Sequence, residues 1–136
     1  MSADPAGLIP HLIVSDAARA IDYYKRALGA AEILRVPTED GKKLMHAEMK
    51  IGPAMFYLCD DLPEYRGGKS RAPTSLGGTP VTLHQYVPNC EAAIDRAAQA
   101  GGTVSMPAQD MFWGDRYGQV TDPFGHLWSF STRLNK

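Results

Sequence analysis

Ile9-Pro-His-Leu-Ile-Val-Ser-Asp-Ala-Ala-Arg-Ala-Ile-Asp22 is answered by Thr82-Leu-His-Gln-Tyr-Val-Pro-Asn-Cys-Glu-Ala-Ala-Ile-Asp95. The offset is a constant 73 positions, which sets His11 against His84, Asp16 against Asn89, and Ala20-Ile21 against Ala93-Ile94. Each copy reads as a strand, a capping residue and a helix. Apolar residues alternate up to Val14 and Val87, and then recur at helical spacing. Asp16 or Ser15, and Asn89, have the short oxygen-bearing side chains that close a helix start. A repeated supersecondary unit implies two similar modules that complete one another's core. It also predicts that His11 and His84 are equivalent points of one shared site.

Working outward, Gly29 ends the first helix, and residues 31–36 form a strand that Pro37 stops. Residues 44–51 alternate, with His46, Glu48 and Lys50 on one face. Gly52-Pro53 turns the chain into a strand over 54–59. Module one is thus strand, helix and three strands over about 7–59. Residues 60–79 are rich in Asp, Pro, Gly and Arg and read as a linker. Module two covers about 80–132. It has strands at 81–87, 103–106, 115–121 and 126–132, a helix from Asn89 to Ala100, and a polar tail. The fold class is α+β, two βαβββ modules in a single domain over 1–136.

Bulk properties exclude several functions. The net charge of −1 gives no general attraction to nucleic acid or anionic membrane. No apolar run approaches the roughly 20 residues that span a bilayer. The first seven residues lack the basic-then-apolar order of a secretory leader, so a cytoplasmic setting is expected. Two cysteines, Cys59 and Cys90, do not make a disulfide scaffold and read as reduced thiols. P-loop, Gly-x-Ser-x-Gly and His-Glu-x-x-His patterns are absent.

The stretches Pro10-His11-Leu12-Ile13-Val14, Ala20-Ile-Asp-Tyr-Tyr24, His46-Ala47-Glu48, Leu76-Gly77-Gly78, Phe112-Trp-Gly-Asp-Arg-Tyr-Gly118 and Asp122-Pro-Phe-Gly-His-Leu-Trp128 span nearly the whole chain. Together they resemble the vicinal-oxygen-chelate superfamily, the glyoxalase/bleomycin-resistance fold, and within it the PhnB-like branch. The resemblance implies an eight-stranded incomplete barrel with helices outside, a cavity inside and a homodimer. Metal enzymes of that superfamily place ligands on the first and last strand of each module. The matching positions here are Ile9, Thr82, Ser129 and either Phe56 or Tyr57, a set without ordinary metal ligands. His11 and His84 lie two positions further along their strands, which keeps them on the same face.

These residues point to a metal-independent small-molecule-binding protein. Its ligand would lie in the barrel cavity among His11, His84, Tyr57, Tyr86, Trp113, Asp115 and Arg116, with no cofactor. Trp113 can stack on a planar ligand and Arg116 can grip an anion. The bland alternative for Asp115 and Arg116 is an ion pair within a turn. The functional alternative is a lyase, isomerase or dioxygenase using Zn, Ni, Mn or Fe on His11, His84 and Glu48. A third is a dimerisation scaffold without a ligand. His46 and Glu48 are either a base with its orienting carboxylate or, beside Lys50, a solvated face. His126 reads as a turn-stabilising side chain. Arg66, Lys69 and Arg71 tint the linker basic, short of the clustering an anion lid requires.

Overall fold

The computed structural model describes residues 7–134. The leader reading of the N-terminus thus falls almost wholly outside the described residues, as do Asn135 and Lys136 of the expected tail. The chain runs β1 (His11–Val14), α1 (Ala17–Leu28), β2 (Ala31–Pro37), β3 (Leu44–Ile51), β4 (Ala54–Asp60), a 3-10 turn at Pro63–Tyr65 and α2 (Pro73–Leu76). Module two follows with β5 (Thr82–Tyr86), α3 (Cys90–Gln99), β6 (Thr103–Asp110), β7 (Asp115–Thr121) and β8 (Leu127–Arg133). Two four-stranded mixed sheets result, ordered β1-β4-β3-β2 and β5-β8-β7-β6. Neither closes into a barrel, as expected of an incomplete one.

The 73-residue repeat survives as geometry. Asp16 Oδ1 accepts from the Arg19 amide at 3.2 Å, and Asn89 Oδ1 accepts from the Ala92 amide at 3.0 Å. Both helices therefore start from the same N-cap arrangement, which satisfies one of the amides a helix start leaves unpaired. In each module the first strand pairs parallel with the fourth: His11 lies opposite Tyr57, and His84 opposite Ser129. A parallel pair requires a crossover, which α1 and α3 supply.

One face of each sheet is covered by helix. Ala17, Ala20, Ile21, Tyr24 and Ala27 of α1 and Cys90, Ile94 and Ala97 of α3 join Leu12, Val14, Met49, Phe56, Leu58, Val120, Trp128 and Phe130 in a single core. Gly29, at φ 67°, ends α1 in the left-handed region, and its amide bonds the Tyr24 carbonyl. The helices also cap one another: Arg26 Nη1 donates to the Ala100 carbonyl at 3.1 Å, and Arg96 Nε to the Arg26 carbonyl at 2.7 Å. Gly118 on β7 lies beneath α3, where a Cβ would fall 2.3 Å from Ile94 Cδ1.

Several boundaries differ from the sequence reading. β6 passes through Pro107 to Asp110 rather than ending at Met106. It is the edge strand of its sheet, so Pro107 costs no interior hydrogen bond, and it falls within a register slip between Met106 and Gln109. β8 includes Arg133, which the sequence assigned to the tail. The linker is partly ordered, since Pro63 and Pro73 each open a short helical turn.

Candidate functional site

The faces opposite the helices carry the chemistry, in two separate clusters. On the first sheet, His11, His46, Glu48, Tyr57 and Cys59 follow from strand alternation. The His46 and Tyr57 ring centroids are 4.8 Å apart, His11 and His46 6.0 Å, and His11 and Tyr57 6.2 Å. Glu48 is 9% exposed, and its Oε2 lies 3.0 Å from His46 Nε2. This corrects the solvated-face alternative for the pair: only Lys50 on that row stands in solvent. Burial, the neighbouring His46 and the Arg66 guanidinium hold the His11 imidazole below its ordinary value.

On the second sheet, His84 Nδ1 lies 2.7 Å from Ser129 Oγ. The imidazole stacks on Tyr117 at 5.8 Å and 20°, and Tyr86 meets it edge-on at 5.0 Å. Trp113 stands edge-on to Tyr117 at 5.8 Å. Gln119 Nε2 donates to Tyr117 Oη at 2.9 Å. Ser131, opposite both Tyr86 and Tyr117, is fully buried, and its Oγ has no hydrogen-bond partner.

His11 and His84 therefore belong to different sheets and different clusters. Each also lines its own cavity. His11 borders one of about 420 Å³ with Arg71, Leu76, Val81 and His126. His84 and Tyr86 border one of about 460 Å³ with Met55, Phe56, Gln85 and Trp128. The second lies at the junction of the modules, and its Gln85 Nε2 is buried without a partner. Among the described residues, no three His, Cys, Asp or Glu side chains are grouped to hold a metal. The set His11, His84 and Glu48 is not gathered within one chain.

Asp115 and Arg116 do not pair with each other, because adjacent strand residues point to opposite faces. Arg116 turns toward α3 and the end of β6, where Nε meets Glu91 Oε1 at 3.0 Å and Nη1 meets Asp110 Oδ1 at 2.8 Å. Those two carboxylates raise its pKa, and its fork is occupied away from the ring cluster. Asp115 is 4% exposed and faces Arg133 at 3.4 Å. The Arg133 guanidinium carbon is 5.0 Å from the Tyr86 ring centre, a cation–π contact. Arg133, read as tail from the sequence, is thus a cation standing beside the ring cluster.

His126 does more than hold its turn. Its amide bonds Asp122 Oδ1 at 3.0 Å, and its Nε2 donates to the Ile13 carbonyl of module one at 2.8 Å. Cys59 and Cys90 are free and buried, and burial pushes both thiols up.

Residues 8–130 match the family model for the Glyoxalase/Bleomycin resistance protein/Dioxygenase superfamily. The chain belongs to that superfamily. An uncharacterized protein of Mycobacterium bovis is 54% identical over 129 residues, covering 95% of this chain and 84% of that protein. Among solved structures, TioX from Micromonospora sp. ML1 is similar at TM-score 0.71 and 27% identity, covering 96% and 100% of the two chains. The At5g48480 gene product of Arabidopsis thaliana is similar at TM-score 0.73 and 27% identity, covering 94% and 99%. Superfamily membership fixes the architecture and leaves the chemistry to the residues of the site.

Proposed function

We propose that this chain is a metal-independent small-molecule-binding protein of the superfamily, in the PhnB-like branch. One observation carries the reading: the cavity of about 460 Å³ between the modules, lined by His84, Tyr86, Phe56 and Trp128 and by a buried Gln85 amide lacking a partner. That volume and that mix of ring faces with a few polar groups suit an organic ligand. Tyr86, 56% exposed, offers ring surface at the cavity, and Trp113, 50% exposed, adds another ring beside Tyr117 on the same sheet. Hydroxyl and aromatic side chains at Tyr57, Thr82 and Ser129 fit a site without a resident cation.

A second copy completes the barrel in this reading, giving a homodimer. Its support is the pair of polar and aromatic sheet faces left uncovered by helix in one chain. The metal-dependent alternative, a lyase, isomerase or dioxygenase, needs such a second copy to carry a His84 to His11 and Glu48. Two free thiols fit a reducing compartment, the cytoplasm. Native mass spectrometry of untagged protein tests the reading: an organic adduct on a dimer of 14.8 kDa chains supports it. Stoichiometric Zn, Ni, Mn or Fe with no organic adduct contradicts it.

A further inference from the structure

Arg66 is the side chain of the linker that neither the fold nor the cavity uses. Its position is built. The Arg66 and Gly68 amides both bond the Pro63 carbonyl, at 2.9 and 2.8 Å, and Leu62 anchors the turn at 2% exposure. Gly67 and Gly68 follow at φ 64° and 79°, the left-handed region that lets the chain turn back. The turn lays the guanidinium over the first sheet, where Nη2 reaches Cys59 Sγ at 3.8 Å. Arg66 Nε is buried and has no hydrogen-bond partner. A thiol is a weak acceptor, so this contact returns little of what desolvating a guanidinium costs.

The face beside Arg66 carries the donors His11 and Tyr57 together with the Glu48 carboxylate, which lies opposite Tyr57. Cys59 and Tyr57 share one face of β4, and Tyr57 lies opposite His11 in the parallel pair. Cys59, which Arg66 touches, lies two residues along β4 from Tyr57, so the guanidinium and the His11–Tyr57 pair stand on one face of the β1–β4 ladder. His46 stands edge-on to Tyr57, with its Nε2 held by Glu48 at 3.0 Å. That contact engages the Glu48 carboxylate with the imidazole on its own strand. A guanidinium fork, an imidazole and a phenol hydroxyl together match an oxyanion, which accepts hydrogen bonds from all three.

We propose that Arg66, His11 and Tyr57 form an oxyanion subsite on the open face of the first sheet, for a carboxylate or phosphoryl group. It is separate from the cavity at His84 and stands whether or not that cavity binds a ligand.

The test titrates the intact protein with sodium phosphate, with sodium acetate and, at matched ionic strength, with sodium chloride. The ring signals of the four histidines are followed by NMR. His11 and His46 are expected to shift saturably with phosphate or acetate and not with chloride, while His84 and His126 stay in place. The tighter of the two anions assigns the group. Arg66→Gln is expected to weaken binding about tenfold or more, and Arg66→Lys to keep part of it, having charge without the fork. The amide spectrum of each variant checks the fold, and Arg66→Lys is read alone if Arg66→Gln unfolds. No saturable shift at His11 overturns the proposal. So does equal movement of all four histidines, or undiminished affinity in the folded Arg66 variants.

Discussion

Tyr24 of module one donates its phenol to Asp122 Oδ2 of module two at 2.5 Å, across 98 positions of sequence. The same oxygen accepts from Trp128 Nε1 at 2.9 Å, and Oδ1 accepts the Phe124 and His126 amides at 2.8 and 3.0 Å. Asp122 is 3% exposed and Tyr24 is fully buried. One carboxylate therefore shapes the β7–β8 turn, orients Trp128 at the cavity and ties the modules together. Asp122→Ala strands four donors, three of them buried, and is expected to cost about 3–5 kcal/mol in urea unfolding. Tyr24→Phe removes one of the four and is expected to cost about 1–2 kcal/mol. Equal losses from the two would show that the carboxylate does not act as a hub.

Alkaline stability follows from the same network. Burial and the Asp122 carboxylate raise both Tyr23 and Tyr24 above the ordinary value of 10. A phenol raised in the folded state contributes stability that is intact below its unfolded pKa and is lost as pH climbs toward the folded one. Stability should hold to about pH 8.5, begin to fall as the two raised thiols ionise in the unfolded chain, and fall further above about pH 10. Ultraviolet titration should show two of the six tyrosines ionising only with loss of the fold. Six tyrosines ionising together near pH 10 in folded protein would contradict this.

Gly118 marks how closely α3 approaches its sheet. A Cβ there would sit 2.3 Å from Ile94 Cδ1 and 2.9 Å from the Met106 carbonyl oxygen. Gly118→Ala is expected to cost about 2–3 kcal/mol by overpacking. Adding Ile94→Val removes the nearer clash but not the carbonyl, so it should restore part of the loss rather than all of it. Thermal unfolding of the two single variants and the double variant gives the coupling.

The rim cation has its own signature. Arg133 stands over the Tyr86 ring and faces buried Asp115. Arg133→Gln should leave Asp115 without its ion pair and destabilise the protein by about 1 kcal/mol, less in high salt. Arg116→Gln breaks the exposed pairs with Glu91 and Asp110 and a bond to the Ala108 carbonyl, all away from the cavity, and should leave ligand binding there unchanged. Comparable losses of ligand affinity from both would return Arg116 to the site.

The fold was legible because its determinants are local and doubled. Asp16 and Asn89 cap helices at the same offset that separates the histidines, and Gly29 ends α1 by backbone conformation alone. β6 was cut short because Pro107 looks like a strand end until its strand is known to be an edge, and Arg133 was read as tail because it opens the polar run 133–136. The clusters were half legible. Strand alternation grouped His46 with Glu48, and the resemblance brought in Tyr57, but periodicity cannot say which faces of two sheets meet. His11 and His84 are equivalent by repeat and still lie in different clusters. Arg66 and His126 depend on a turn and an inter-module contact, and neither leaves a periodic trace.

Thermal unfolding of EDTA-treated protein against a panel of planar organic acids and amines, run beside Zn, Ni, Mn and Fe salts, tests the central claim most directly. A ligand that binds only folded protein raises the midpoint by mass action. The account predicts a saturable rise with at least one organic compound in the absence of metal, lost in Tyr86→Ala and retained in Arg116→Gln. A rise with a metal salt and with none of the organic compounds would contradict it.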